Sequence, residues 1–286
     1  MALAITYYSL FITYHYLVTF PNCKINLGLN ILKKREDGFH ELETVFLPVP
    51  LCDALEIVPS DKETELTTTG ISTGKVEDNL CLKAFNLLKK DYPLLPKVQI
   101  HLHKIIPIGA GVGGGSADAA FTLQLLNKKF QLSIPENKIF GYALQLGSDC
   151  PFFLTNKPTY ATGRGEQLEH VNLSLSGYKI ALVNAGIHIS TADAFRNIKP
   201  AIPAKKIKEI IQQPIEIWKK ELKNDFEEYV FEKFPQIKEI KENLYNAGAD
   251  YASMSGSGST VFGLFKNNCI INYSPDPVYF FKEINL

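Results

Sequence analysis

The segment 107–120, which reads PIGAGVGGGSADAA, concentrates five glycines within seven residues and then continues into small residues that favour a helix. Successive glycines let backbone N–H groups converge on one point, because no Cβ atom obstructs them. The N-terminus of the following helix would add a partial positive charge at the same place. The segment therefore predicts a phosphate-binding loop. The alternative, a tight turn that only permits close helix packing, needs one or two glycines rather than five.

Two common phosphate loops do not fit this segment. The pattern Gly-x-Gly-x-x-Gly begins at Gly109, but a dinucleotide fold also needs a second strand that ends in an acidic residue about 20 residues further on. Here the first helix leads to a second predicted helix at 135–146. A Walker loop needs a lysine directly before Ser116, where Gly115 stands. Neither of these two loop types therefore explains the segment, and the prediction of a phosphate site rests on its glycines and the following helix.

Composition restricts the partners and the compartment. The chain of 286 residues has 30 Lys plus Arg and 30 Asp plus Glu, so its net charge is zero. No global field attracts nucleic acid or an anionic membrane, and we expect neither as a partner. The odd number of cysteines, five without a Cys-x-x-Cys pair, argues against a disulfide framework or a zinc site. Reduced thiols and a cytoplasmic location are expected.

The first twenty residues are apolar and contain no Lys or Arg. A secretory signal needs a positive N-terminal region and a small-residue cleavage site, and neither is present. We expect residues 1–17 to be an extension upstream of the true start. An additional strand or helix and a membrane anchor are the alternatives.

Hydrophobic periodicity predicts a chain of mixed strands and helices. A half-buried strand is expected at 24–34, a short apolar strand directly after Pro151, and a loop at 186–193. Further strands are predicted at 42–50 and 54–58 (interrupted by Pro48 and Pro50), within 60–76, and at 98–106, 178–184 and 260–265. Helices are predicted at 79–90, 116–127, 135–146, 204–212, 215–222 and 235–247.

Three segments resemble, in the right order, motifs of the GHMP kinase superfamily: 21–27 (PNCKINL), the glycine loop, and 255–262 (SGSGSTVF). The resemblance covers about residues 18–266. It implies an α+β fold of two domains with the active site in the cleft between them. An ATP-binding domain at 18–160, similar to domain 2 of ribosomal protein S5, would precede a ferredoxin-like domain at 161–286.

The same resemblance assigns the ATP site. Asn79 would lie on the adenine side, although an Asn before a helix is often only its N-cap. Mg²⁺ would arrive with ATP, and Ser116 is a candidate contact for a phosphate or its metal, or a helix cap; no other metal ligand is expected. The residues expected to hold the phosphates are Pro107, Gly109, Gly111, Gly113, Gly114, Gly115 and Ser116.

Two further segments narrow the resemblance to one branch of the superfamily. Residues 37–44 (DGFHELET) and 147–153 (GSDCPFF) resemble the 4-diphosphocytidyl-2-C-methyl-D-erythritol kinases of the non-mevalonate isoprenoid pathway. That branch usually has Asp-Gly-Tyr-His and Gly-Ala-Asp-Val-Pro at these places, and an alanine where this chain has a cysteine. The residues that depart from the pattern are Cys23, Phe39, Ser148 and Cys150, and none of them is a proposed catalytic group.

Phosphoryl transfer requires charge neutralisation, alignment and a deprotonated nucleophile. By the resemblance, Asp149 would be the general base for the substrate hydroxyl. Lys24 would lie beside it, where a cation keeps the carboxylate ionised and polarises the hydroxyl. Each residue also has a purely structural alternative. Asp149 could be a turn residue after Gly-Ser, and Lys24 could be a solvated lysine on a strand.

The resemblance also assigns the substrate end of the site. Phe39 and Phe195 would sandwich the cytosine ring, His40 would bind its edge, and Asn26 would be a further polar contact. Phe195 has the alternative of a core phenylalanine. Other functions stay open, namely a mevalonate- or homoserine-type kinase of the same superfamily, or a non-catalytic nucleotide-binding protein. The last would be marked by loss of Lys24 or Asp149, and both are present.

Overall fold

The computed structural model describes residues 18–286. The predicted extension at 1–17 lies outside the described residues. The strands are β1 (Val18–Thr19), β2 (Asn22–Lys34), β3 (His40–Cys52), β4 (Ala54–Pro59), β5 (Glu65–Gly70), β6 (Val98–Lys104), β7 (Thr159–Thr162), β8 (Gln167–His170), β9 (Tyr178–Asn184), β10 (Tyr251–Met254), β11 (Val261–Lys266) and β12 (Phe280–Asn285). The helices are α1 (Leu80–Asp91), α2 (Gly114–Lys129), α3 (Glu136–Leu146), α4 (Phe152–Thr155), α5 (Thr191–Asn197), α6 (Ile207–Ile210), α7 (Ile215–Glu221), α8 (Phe226–Lys233) and α9 (Pro235–Asn246).

The first sheet has the strand order β1-β4-β6-β5, with only the β5–β6 pair parallel. Val98, Ile100 and Leu102 alternate along β6 and are buried against apolar side chains of α1, α2 and α3. This confirms the strand predicted from alternation at 98–106. The glycine loop leaves the end of β6 and leads directly into α2, which packs on α1.

The second sheet has the order β2-β3-β7-β8, and its strand β2 contacts both α2 and β10. The prediction that β2 is half-buried is wrong, because ten consecutive residues from Asn22 to Ile31 are buried. Ile25 and Leu27 pack in one apolar cluster, and Leu29 and Ile31 pack in another that includes residues of the third sheet. The polar residues between them satisfy their side chains with hydrogen bonds rather than with water.

The third sheet is antiparallel with the order β10-β11-β9-β12, and α9 packs against β10 and β11.

Two local predictions of secondary structure are wrong. The apolar residues after Pro151 form the short helix α4 rather than a strand, and α5 begins at Thr191 within the predicted loop. The predicted domain boundary between residues 160 and 161 falls inside β7 and stays a prediction.

From residue 18 to the C-terminus, no helix is both long enough and apolar enough to cross a bilayer.

Candidate active site

The glycine loop presents unpaired backbone donors at the start of α2. Gly113 is the N-cap of α2, with a left-handed backbone (φ 69°) and no side chain to cap the first turn. The helix begins at Gly114, two residues before the predicted start. Because the first N–H groups of a helix lack intrahelical partners, this end of α2 offers them to an anion.

Backbone and side-chain hydrogen bonds hold the glycine loop from two sides. The N–H of Lys24 in β2 donates to the carbonyl of Val112 at 2.9 Å. On the other side, the Ser255 hydroxyl donates to the carbonyl of Gly111 at 2.8 Å, and the N–H of Thr260 donates to the carbonyl of Ala110 at 3.1 Å. The three motifs that lie far apart in the sequence therefore form one structural unit.

Lys24 and Asp149 form an ion pair beside this loop. The Lys24 Nζ lies 3.2 Å from Asp149 Oδ2 and donates to Asn26 Oδ1 at 2.6 Å. It also lies 4.8 Å from the centre of the Phe46 ring. The Lys24 side chain is 3% exposed, whereas that of Asp149 is 34% exposed, so the carboxylate faces the cavity. A buried ammonium needs such partners, and the alternative of a solvated strand lysine is excluded.

Asn26 is fixed in place by the scaffold. Its Nδ2 donates to Thr44 Oγ1 at 2.9 Å, and its backbone N–H donates to Ser255 Oγ at 3.2 Å. Its Oδ1 is the acceptor for Lys24. Asn26 therefore positions the Lys24 ammonium, and its predicted contact with substrate stays a prediction.

A buried charge cluster lies below the loop. Lys104, the last residue of β6, forms ion pairs with Asp53 and, at 2.8 Å, with Asp118 of α2. Asp53 also accepts the backbone N–H groups of Ile105 and Ile106, which lead into the loop. Burial raises the pKa of Asp118 to about 7, against the opposing effect of Lys104. The cluster fixes the start of the loop relative to α2.

The far end of the cavity is aromatic. The rings of His40 and Phe195 stack at a centroid distance of 5.0 Å and an angle of 22°, and Phe195 also meets Phe226 edge-on. Phe39 is 51% exposed, and the guanidinium of Arg164 lies 4.5 Å from its ring centre. Burial, with a smaller effect of nearby Lys34, lowers the pKa of His40. The structure therefore places Phe195 against His40, and the cytosine sandwich between Phe39 and Phe195 stays a prediction.

One cavity of about 1180 Å³ joins the glycine loop, the ion pair and the aromatic end. Asn79 does not line it; this residue is the N-cap of α1 and accepts the N–H of Cys81 at 2.9 Å. Its adenine-side role stays a prediction. The predicted site residues that line the cavity are Lys24, Asn26, Phe39, His40, Pro107, Gly109, Gly111, Gly113, Gly114, Gly115, Ser116, Asp149 and Phe195.

Sequence reasoning missed several residues of this site. Arg164 and His188 line the cavity, and a Cβ at Gly109 would lie 3.6 Å from the His188 imidazole. Lys104 lies three residues before Pro107, but it does not line the cavity, because its ammonium is buried in ion pairs with Asp53 and Asp118. Nothing in the sequence marks Arg164, which lies in a turn without a recognisable motif.

The chain matches family models of known proteins over both halves. Residues 79–157 match the N-terminal domain of the GHMP kinases, and residues 206–268 match the GHMP kinase C-terminal domain. These matches confirm the predicted fold class, a two-domain α+β GHMP kinase fold.

Individual relatives agree with the family models. The chain is 54% identical over 253 residues to the 4-diphosphocytidyl-2-C-methyl-D-erythritol kinase of Bacteroides fragilis, with 87% of this chain and 92% of that protein covered. It is 51% identical over 251 residues to the kinase of the same name from Cytophaga hutchinsonii, with the same coverage.

One solved structure gives the same assignment, and a second shows the same fold at low sequence identity. A crystal structure of 4-(cytidine 5′-diphospho)-2C-methyl-D-erythritol kinase is 33% identical with a TM-score of 0.75, covering 87% of this chain and 90% of that one. The mevalonate kinase of Methanococcus jannaschii shares the fold at 14% identity, with a TM-score of 0.67 and coverage of 90% and 93%. The chain therefore belongs to the GHMP kinases, and within them to the family of the 4-diphosphocytidyl-2-C-methyl-D-erythritol kinases.

Proposed function

We propose that this protein transfers the γ-phosphoryl group of ATP to the 2-hydroxyl of 4-diphosphocytidyl-2-C-methyl-D-erythritol, a step of non-mevalonate isoprenoid precursor synthesis. The observation that carries the proposal is the Lys24–Asp149 ion pair, which lies in the same cavity as the glycine loop and the aromatic end. The similarity to relatives that are named for this activity supports the choice of substrate.

The reaction requires one proton transfer and one phosphoryl transfer. Asp149 accepts the proton of the substrate hydroxyl, and the resulting oxygen attacks the γ-phosphorus. The bond from the γ-phosphorus to the bridging oxygen breaks, and ADP leaves with the electron pair. Lys24 holds the Asp149 carboxylate in position and offsets negative charge as it develops, which is the principal contribution an enzyme makes to such a transfer.

The glycine loop supplies the nucleotide end of the reaction. The unpaired N–H groups at the start of α2 donate to the phosphates, and the bonds from Ser255 and Thr260 keep the loop in that shape. Preorganised donors of this kind need no rearrangement as the transition state forms.

The aromatic end favours a substrate that carries a nucleobase. The predicted roles are stacking by Phe39 and Phe195, with an edge contact from His40. In the structure Phe195 and His40 line the cavity in mutual contact, so a base has aromatic faces and an imidazole edge within reach. Neither mevalonate nor homoserine has a ring that would use these groups.

Magnesium is proposed to arrive with ATP. Across residues 18–286, no group of three or more His, Cys, Asp or Glu side chains is placed to hold a metal. The Ser116 hydroxyl in the first turn of α2 lines the cavity and is the candidate protein contact. Bound Mg²⁺ would neutralise charge on the phosphates.

The expected location is the cytoplasm, where ATP is available and thiols stay reduced. All five cysteines are free in the structure. We propose no nucleic-acid partner, since the net charge is zero.

A coupled assay of ADP formation tests the proposal. Purified protein is given ATP and magnesium with the cytidine diphosphate sugar alcohol, with mevalonate, or with homoserine. We expect turnover with the cytidine compound and no activity above background with the other two. Equal turnover on mevalonate or homoserine would assign the protein to another branch. Nucleotide binding without turnover on any of the three would indicate a non-catalytic protein.

A further inference from the structure

Arg164 occupies the turn between β7 and β8, which the structure anchors firmly to β3. The N–H of Leu42 donates to the carbonyl of Gly163 at 2.8 Å, and the N–H of Gly163 donates to Glu41 Oε1 at 3.2 Å. The next N–H, that of Arg164, donates to Glu166 Oε2 at 2.5 Å. The backbone at Arg164 is therefore fixed relative to the strand that carries His40.

This turn extends from the aromatic end of the cavity to the ion pair. The guanidinium of Arg164 lies 4.5 Å from the centre of the Phe39 ring. At the following residue, a Cβ on Gly165 would lie 4.0 Å from Asp149 Oδ1. A substrate that stacks its base at the aromatic end and reacts beside Asp149 must place the intervening atoms along this turn.

The guanidinium of Arg164 keeps its donors free. It forms a long ion pair from Nε to Glu166 Oε1 at 3.9 Å, which is beyond hydrogen-bond distance. Among the residues that the structure describes, no acceptor takes a hydrogen bond from this side chain. By contrast, Arg35 on the adjacent hairpin donates to Asp37 and to Glu41 at distances near 3.1 Å.

Of the other cations that line the cavity, Lys34 lies opposite His40 in the β2–β3 register and carries a point-charge ammonium rather than a planar fork. Two more are held in ion pairs. Lys24 is engaged by Asp149, and Arg196 is paired with Asp193 at 2.6 Å and is 72% exposed. Arg164 is 30% exposed, lines the cavity, and lies over an aromatic ring, with its Cζ 4.5 Å from the ring centre of Phe39. A planar guanidinium held in this way loses little freedom when it binds two phosphate oxygens at once.

We propose that Arg164 binds the diphosphate of the substrate and thereby selects a nucleoside diphosphate over an uncharged nucleoside. The inference rests on the proposed function, because it takes the cytidine diphosphate compound as the substrate. Arg164 acts in binding and specificity, and the chemical step belongs to Lys24 and Asp149.

The test compares cytidine 5′-diphosphate with cytidine as competitors of the cytidine substrate at saturating ATP. Hydrogen bonds to charged groups contribute enough to change affinity by about 10- to 100-fold. We expect R164M to weaken inhibition by cytidine 5′-diphosphate by that factor and to leave inhibition by cytidine within about twofold. R164K should retain part of the preference, since it keeps the charge without the fork.

R35M is the matched control, because it removes the same charge from the neighbouring hairpin, where the guanidinium is already engaged. Its ratio of the two inhibition constants should equal that of the wild-type protein. Equal weakening of both competitors in R164M would show that Arg164 acts only through Phe39, and it would overturn the proposal. Inhibition constants of R164M that both equal those of the wild-type protein would also overturn it.

Direct binding of the same two ligands by calorimetry gives the ratio without turnover. A protein that fails to phosphorylate the cytidine substrate would contradict the proposed function and leave this ratio measurable. If R164M does not unfold cooperatively, R164Q, which keeps a polar side chain without the charge, replaces it and must show the same loss of preference.

Discussion

Lys24 shows how much a single position in this fold depends on its partners. Its side chain is 3% exposed, and its ammonium is satisfied by Asp149, by Asn26 and by the face of Phe46. Burying a charge without such partners is costly. The sequence allowed Lys24 and Asp149 to be predicted because both belong to motifs. Arg164 belongs to no motif, and its place in the site is seen only in the structure, where its guanidinium lies over the Phe39 ring.

His40 gives a prediction about a single titrating group. It lies directly opposite Lys34 in the β2–β3 register, whereas Lys33 lies opposite Glu41. Burial, with a contribution from Lys34, lowers the pKa of His40. An NMR titration of the imidazole should therefore give a pKa below the usual range of histidine.

Removing the opposed cation should partly reverse this shift. In K34M the pKa of His40 should rise, since the charged imidazole no longer faces a like charge across the strands. K33M makes the same change one residue away, on the other face of the strand, and should leave the pKa unchanged. An equal rise in both variants would mean that the shift comes from net charge and not from the cross-strand pair.

At the scale of elements, sequence patterns succeeded for several of the longer helices and strands. Strands β6 and β9 and helices α1 and α3 lie within a residue or two of their predictions. The short apolar segment after Pro151 was predicted as a strand and is the helix α4. A run of four residues has too few positions for periodicity to separate the two states, and packing of Phe152 and Phe153 decides instead.

The glycine loop gives a prediction about an element. Gly111 has a φ of 76°, and a Cβ there would lie 2.1 Å from the carbonyl oxygen of Ser255. Since that oxygen is backbone, the clash cannot be relieved by a side-chain rotation. We expect G111A to lower the free energy of unfolding by about 3 kcal/mol or more and to weaken ATP binding.

Gly74 is the matched control for this substitution. It has a φ of 77°, and a Cβ there would meet no atom within 4 Å. G74A should therefore show only the backbone cost of a left-handed residue, about 1–2 kcal/mol, with ATP binding unchanged. Denaturant unfolding measures both variants, and equal losses would contradict a specific clash with the Ser255 segment.

At the scale of the whole molecule, the site depends on contacts that no local pattern announces. The β7 and β8 strands complete a sheet with β2 and β3, although more than a hundred residues separate them in the chain. The segment 255–262, which lies in the C-terminal part of the chain, contacts the glycine loop through the hydrogen bond from Ser255 to Gly111. Motif order indicated that these segments belong to one site, but only the folded chain shows which atoms join them.

The burial pattern of the five thiols tests this packing. Cys23, Cys81 and Cys150 are fully buried, and burial raises the pKa of each to about 12. Cys52 and Cys269 are partly exposed. Partial burial, with a smaller effect of Asp53, raises the pKa of Cys52. Since the thiolate is the reactive form, an alkylating reagent at pH 8 should label Cys269 in the native protein and Cys52 more slowly.

The three buried cysteines should react only after unfolding, and peptide mass spectrometry assigns each label. Rapid labelling of Cys150 in the native protein would be the most serious disagreement, because it would mean that the turn carrying Asp149 is open to solvent.

The most direct test of the account is a single-turnover measurement on D149N. The central claim is that Asp149, held by Lys24 beside the glycine loop, accepts the proton of the cytidine substrate's hydroxyl. The amide has nearly the same shape as the carboxylate but cannot serve as the base. The rate of phosphoryl transfer should fall by about 10²- to 10⁴-fold, while the affinity for a non-hydrolysable ATP analogue stays within about twofold of wild type. A D149N enzyme that transfers phosphate at a near-normal rate would contradict the assignment of Asp149.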